Sequence, residues 1–224
     1  RSNIKIAEQD GRVTDINAPG PLVSEQAQKQ LLKMVAIIGP EFDAVVVAGS
    51  LPRGVSAQWF QELIHALKDL GLKVVLDTSG EALRAGIKAG PWLIKPNTEE
   101  LAEALDCATD SIAQQAQAAE RLHAQGVEHV VVSHGAEGVN WFSPGTALHA
   151  TPPKVSVAST VGAGDSLLAG MLHGLLRFDL PETTLRRATA IAAMAVTQIG
   201  FGISDDAQLA RLESGVHVRA LTEQ

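Results

Sequence analysis

"DAVVVAGSLPRGVSAQWFQELIHALKDLGLKVVLD", residues 43–77, holds two short apolar runs with a helical stretch between them. The runs "DAVVVAG" (43–49) and "KVVLD" (73–77) are almost unbroken in apolar residues, the pattern of strands buried on both faces. Between them Phe60, Leu63, Ile64, Leu67 and Leu70 recur near the helical period, with Ser56 as a candidate N-cap and Gly71 as a stop. Strand, helix, strand in that order is the unit from which parallel sheets are built.

The same alternation continues outward. "WLIKPN" (92–97) and "HVVVSHG" (129–135) are further apolar runs, and helical stretches lie around 80–89, 98–105 and 111–125. The fold class expected is α/β, a mainly parallel sheet with helices on both faces. "GVNWFS" (138–143) and "GTALHA" (145–150) then read as antiparallel additions, followed by helices at roughly 163–178, 182–199 and 205–214. At the front, "NIKIAE" (3–8) and "RVTDIN" (12–17) read as two strands around the turn "QDG". Such a pair is marginal by itself and needs something to pack on.

With 224 residues, 46% of them hydrophobic, one domain with a small appendage is the expected organisation. Eighteen basic against 25 acidic residues, a net charge of -7, argues against a broad nucleic-acid or acidic-membrane surface. The single Cys107 excludes an internal disulfide framework and fits a reducing compartment. No apolar run reaches the ~18 residues of a membrane span, so a soluble cytoplasmic protein is expected. The first residue is Arg1, not Met, and the strand pattern begins almost at once, which reads as the middle of a larger protein with a front part missing.

Doubly covered sheets bind ligands outside the carboxyl ends of their strands. Four segments follow strands there: "GSLPRG" (49–54), "DTSG" (77–80), "KPNTEE" (95–100) and "SHGAEG" (133–138). A fifth candidate is "STVGAGDS" (159–166). It lacks the third glycine of a dinucleotide fingerprint and the lysine of a P-loop. What it offers is a tight turn through Gly162 and Gly164, with Ala163 small enough for close approach, running into an apolar helix face from Leu167 to Leu176. Unpaired N–H groups at a helix start favour phosphate or developing negative charge. Asp165 has two readings here, an acid favoured in any first helical turn or a general base beside an anion hole.

"STVGAGDS" resembles the C-terminal signature of the ribokinase-like sugar kinases, the PfkB family, whose usual form is D-T-x-G-A-G-D. The resemblance extends from "RSNIKIAEQDGRVTDINAPG" through "GSLPRGVS", "VVLDTSGEAL", "LIKPNTEEL" and "VVVSHGAEG", and is strongest to the bacterial phosphofructokinase branch. It implies a three-layer ribokinase-like domain over residues 21–224 and a remnant of a small β lid over 1–20. It implies ATP-dependent phosphorylation of a sugar phosphate, fructose 1-phosphate first, with tagatose 6-phosphate, fructose 6-phosphate or a non-catalytic nucleotide-binding module as alternatives.

By the same resemblance Asp165 is the catalytic base, in contact with the sugar, and Gly162, Ala163 and Gly164 form the anion hole. Ser159 stands where the family commonly has Asp; it and Val161 are candidates for a monovalent-cation site, and Thr160 for nucleotide contact. Asn97 and Glu100 match the family's N-x-x-E element for Mg²⁺, although the same spacing is that of a helix capping box. Lys95 faces nucleotide phosphates or solvent. Ser133, Gly135 and Gly138 approach the ATP phosphates or form an ordinary turn. Ala193 and Thr197 border the adenine or pack on the sheet. Ser50, with Arg53 near it, contacts sugar phosphate or sits in a plain turn, and Arg1 and Asn3 match an Arg-x-Asn that grips substrate phosphate.

His134, where relatives often have Leu, is expected to be a neutral or exposed surface residue without a catalytic role. The other histidines show no ligand spacing, so no zinc site is expected. The family's early sugar-holding Asp and its Gly-Gly motif do not stand in the 224 residues. The resemblance implies that the parent protein is an active kinase and a homodimer through the lid; the missing elements imply that the piece alone is weakly active or inactive.

Overall fold

The computed structural model describes residues 3–7, 13–18, 20–200, 202–203 and 205–221. Its centre is a sheet of seven strands in sequential order: β3 (Ala44–Ala48), β4 (Lys73–Asp77), β5 (Leu93–Ile94), β6 (His129–Ser133), β7 (Val139–Ser143), β8 (Thr146–Thr151) and β9 (His217–Ala220). The first four run parallel and β6 to β9 pair antiparallel. Ahead of it β1 (Asn3–Ala7) and β2 (Val13–Asn17) make a separate antiparallel pair, with Asn3 opposite Asn17. The "QDG" turn expected between them lies outside the described residues.

Alternation along each strand explains why the sequence reads as unbroken apolar runs. Val74 and Leu76 turn to one face of the sheet and Val75 to the other; Val130 and Val132 oppose Val131 in the same way. One face is closed by α2 (Ala57–Asp69), α3 (Gly80–Lys88), α4 (Thr98–Leu105) and α5 (Ile112–Ala124), through Phe60, Ile64, Leu83, Leu101 and Leu122. The other is closed by α6 (Ala163–Leu176), α7 (Pro181–Ala195) and α8 (Asp206–Ser214), through Leu167, Met171, Leu185, Met194 and Leu209. Each fully buried Leu or Ile here contributes about 1.5–3 kcal/mol. Small residues let α6 and α7 meet closely: a Cβ on Gly170 would lie 2.6 Å from the Cα of Ala188.

Three expectations need correction. The run 92–97 supplies only a two-residue strand, because Pro96 has no N–H to extend the ladder. The helix expected to 199 ends at Ala195, where the Thr197 hydroxyl donates to the Met194 carbonyl. The strand β9 was not foreseen; its residues are mostly exposed and carry no apolar run. At the opposite side of the sheet β3 is an edge among the described residues; α1 (Glu25–Ile38) packs on α2 and leaves Met34 and Ile37 exposed. No helix of the described residues is long and apolar enough to cross a membrane.

Candidate active site

Parallel pairing brings the carboxyl ends of successive strands into line. The Gly49 N–H donates to the Asp77 carbonyl at 3.0 Å, Lys95 N–H to Leu76 at 3.0 Å, and Ser133 N–H to Pro96 at 3.0 Å. The segments 49–54, 77–80, 95–100 and 133–138 thus stand side by side, as the strand-end rule requires.

The glycine loop joins them from the other face. Ala158 and Ser159 donate their N–H groups to the Val196 carbonyl, and the Ser159 hydroxyl accepts from Val161 N–H at 3.2 Å. Gly162 is left-handed, φ 80°, and α6 begins directly after it. A side chain would strain that turn. Ser166 is the residue whose N–H bonds back to Gly162, so the amides of Gly164 and Asp165 have no intrahelical acceptor and face outward. Thr160 and Asp165 are exposed. Asp165 and Gly162 open on a cleft of about 570 Å³ that runs between α6 and α7 to His173 and Arg187.

Behind the loop lies Lys95, 6% exposed, so it is not the solvated lysine of one reading. Its Nζ is 3.0 Å from Asp77 Oδ1 and would be 3.2 Å from a Cβ placed on Gly164. Burial raises the Asp77 carboxyl above its ordinary range; the Lys95 charge opposes this, and the Asp165 carboxylate adds to it. Desolvation therefore outweighs the attraction, and the pair is a poor source of stability. Its effect is to hold an ammonium against the start of α6. Asp77 has no role in the sequence reading beyond its place in "DTSG"; the signal was an acid closing an apolar strand. Next to it the Thr78 hydroxyl is buried without a hydrogen-bond partner.

Asn97 and Glu100 form the capping box of α4. The Asn97 side chain accepts from Glu100 N–H at 2.7 Å and Glu100 Oε2 accepts from Asn97 N–H at 2.9 Å. Among the described residues no group of three or more His, Cys, Asp or Glu could enclose a metal. The donors present suit Mg²⁺ that keeps its waters and leans on substrate phosphates, since the second Glu100 oxygen takes no part in the cap.

The remaining candidates divide. Gly135 (φ 56°) is exposed and Ser133 half-buried. Gly138 is buried, and a Cβ there would collide with the Ala150 carbonyl oxygen, so close packing by β8 requires this glycine. Ala193 is 6% exposed, and the Thr197 hydroxyl is engaged by Met194 and Gln208. Ser50 and Arg53 are exposed on the 49–54 turn. Asn3 opens β1, whereas Arg1 lies outside the described residues. His134 is not the surface residue expected: it is half-buried, within hydrogen-bonding distance of Thr98, Gln115 and Asn140.

Known structures identify the class. Phosphofructokinase-2 from Escherichia coli, solved in complex with substrates and products, matches with a TM-score of 0.84 and 28% identity over 96% of this chain and 70% of that one. The architecture is that of the ribokinase-like sugar kinases. More narrowly, residues 1–208 match the pfkB family carbohydrate kinases; the chain belongs to that family and is a sugar-phosphate kinase. It is 43% identical over 221 residues to 1-phosphofructokinase of Vibrio cholerae and 42% over 220 to that of Escherichia coli K12. These alignments cover 99% and 98% of the chain but 70% of either relative's length.

Proposed function

We propose that the chain's reaction is transfer of the γ-phosphoryl group of ATP to the C6 hydroxyl of fructose 1-phosphate, giving fructose 1,6-bisphosphate, and that the 224 residues alone carry it out weakly. One juxtaposition carries this reading: Asp165 on the rim of the Gly162 turn, with Lys95 Nζ buried behind Gly164. A carboxylate that accepts a proton thus adjoins amides and an ammonium that oppose negative charge. The names and identities of the relatives favour fructose 1-phosphate over its alternatives.

In this mechanism Asp165 takes the proton of the attacking hydroxyl. The outward amides of Gly164 and Asp165 and the Lys95 ammonium neutralise the charge that grows on the transferring phosphoryl oxygens, whereas the Ala163 N–H is held by the Thr160 carbonyl. Asp77 keeps Lys95 pointed at that spot. Asn97 and Glu100 would hold Mg²⁺ through its waters, and Mg²⁺ supplies charge neutralisation at the nucleotide phosphates. Ser133 and Gly135 line the phosphate side, with Gly138 seating their loop against β8, and Thr160, Ala193 and Thr197 lie toward the base; Ser50, Arg53, Arg1 and Asn3 serve the sugar phosphate. The backbone at Ser159 and Val161 is the proposed monovalent-cation site, an idea supported by a potassium complex of phosphofructokinase-2 from Escherichia coli, 28% identical to this chain.

Residues 1–20 are proposed as a lid element through which two copies pair, and 21–224 as the nucleotide-binding domain. A second reading, fructose 6-phosphate as acceptor, draws on a complex of that sugar with the same Escherichia coli enzyme at 26% identity. Transfer by the 224-residue chain is measured with enzyme in excess over labelled ATP, on fructose 1-phosphate, fructose 6-phosphate and tagatose 6-phosphate. Fastest transfer to fructose 1-phosphate is expected; preference for either other sugar rejects the assignment.

A further inference from the structure

His134 sits between the two segments assigned to nucleotide and Mg²⁺. Loop 133–138 leaves β6, and α4 starts at Thr98, one residue after Asn97. Backbone contact joins them at one point, the bridge between Asn97 and Ser133. Beyond it the link passes through side chains. His134 Nδ1 is 3.4 Å from Thr98 Oγ1, and its Nε2 is 3.2 Å from both Gln115 Oε1 and Asn140 Nδ2.

The neighbours define which atoms donate. Asn140 Oδ1 lies 2.6 Å from His149 Nδ1, so it accepts from that ring and turns its amide nitrogen toward Gln115 and His134. That nitrogen donates to Gln115 Oε1 at 2.8 Å, and the same oxygen, which can only accept, takes the Nε2–H of His134 at 3.2 Å. The neutral ring of His134 then accepts at Nδ1 from the Thr98 hydroxyl. Burial keeps the His134 and His149 rings below the ordinary histidine range, which favours the neutral ring this pattern needs. Gln115 Nε2 donates to the Thr109 carbonyl at 2.8 Å, and the Thr109 hydroxyl to the Thr98 carbonyl at 2.9 Å. Thr98 is thereby held at both its hydroxyl and its carbonyl.

Gln115 and Asn140 are 1% and 2% exposed. Buried amides are costly unless their hydrogen bonds are met, and an apolar filling would close the same space without that cost. We propose that His134 is a positioning residue: it ties loop 133–138 to the first turn of α4, so that the nucleotide-phosphate segment and the Asn97–Glu100 pair keep one spacing. Its effect on ligand reaches through Thr98 and the loop, and it touches neither nucleotide nor metal. The role rests on the nucleotide and Mg²⁺ assignment of the preceding section.

The experiment is calorimetric titration of the 224-residue chain with ATP, with and without Mg²⁺, alongside amide exchange of segments 97–101 and 133–138. The wild-type chain is expected to bind ATP more tightly with Mg²⁺. His134→Leu should lose about tenfold in MgATP affinity, lose most of the Mg²⁺-dependent gain, and exchange faster in both segments. His134→Gln, which restores a polar head, should recover part of the gain. Gly174→Ala, set against Thr184 on the far face of the sheet, serves as a destabilised control that keeps the wild-type ratio. Equal loss of ATP affinity with and without Mg²⁺, or wild-type affinity in His134→Leu, overturns the positioning role. Absence of MgATP binding by the wild-type chain overturns the nucleotide assignment itself and this role with it.

Discussion

Replacing Asp77 by Asn removes one charge from the Lys95 pair and almost nothing else. At 3.0 Å the gross attraction is about 5 kcal/mol in an environment of effective dielectric near 20. Burial nevertheless leaves the Asp77 carboxyl raised, so the cost of desolvating it exceeds that attraction. Deleting one partner strands the other: Asp77→Asn leaves the buried Lys95 ammonium uncompensated, and about 3 kcal/mol of stability should be lost. Lys95→Met leaves a carboxyl already inclined to take a proton, and should cost about 1 kcal/mol. The double variant removes both charges and should also lie within about 1 kcal/mol of wild type, a coupling of about 3 kcal/mol. Thermal melts resolve this, because about 1 kcal/mol corresponds to about 2–4 °C in a chain of this size. All three variants should lose MgATP affinity, since the ammonium is misplaced or absent in each. Asp77→Asn with wild-type melting and wild-type MgATP affinity would refute the reasoning.

Further outcomes follow from single contacts. His129 accepts from Trp141 Nε1–H at 3.3 Å and lies 3.4 Å from Glu128, and burial lowers its pKa to about 4. The unfolded chain therefore binds the extra proton first: stability is full above pH 6.5 and falls by up to about 3 kcal/mol as pH drops toward 4. His129→Gln should flatten that part of the pH–melting curve; an unchanged curve contradicts the account. Asn97→Ala should cost about 1 kcal/mol through the lost cap and also weaken the Mg²⁺-dependent part of ATP binding, so a loss of stability alone would reduce Asn97 to a cap. Gly138→Ala, at φ 116° and against the Ala150 carbonyl, should lower stability by at least about 2 kcal/mol in denaturant titrations; wild-type stability would contradict the packing argument.

The centre of the sheet was legible because β4 and β6 are buried on both faces, so Val74, Val75 and Leu76 all had to be apolar. The exposed strand at His217–Ala220 faced no such demand and left no signal. The glycine loop was legible because a left-handed turn into a helix admits few residues. The Asp77–Lys95 pair was hidden because strand register makes it: Leu76 lies opposite Ile94, and the next residues along face each other. His134 was misread for a similar reason. Its partners come from α4, α5 and β7, and no spacing along the chain announces them. Asn97 and Glu100 carried two meanings in the sequence, and the structure displays the capping box outright.

The account turns on Asp165 as the base, and the most direct measurement is the single-turnover rate of phosphoryl transfer to fructose 1-phosphate by the wild-type chain and by Asp165→Asn. ATP affinity is measured on the same samples. The prediction is MgATP binding within about twofold of wild type and transfer slower by about 100-fold or more. Transfer by Asp165→Asn at the wild-type rate would contradict it.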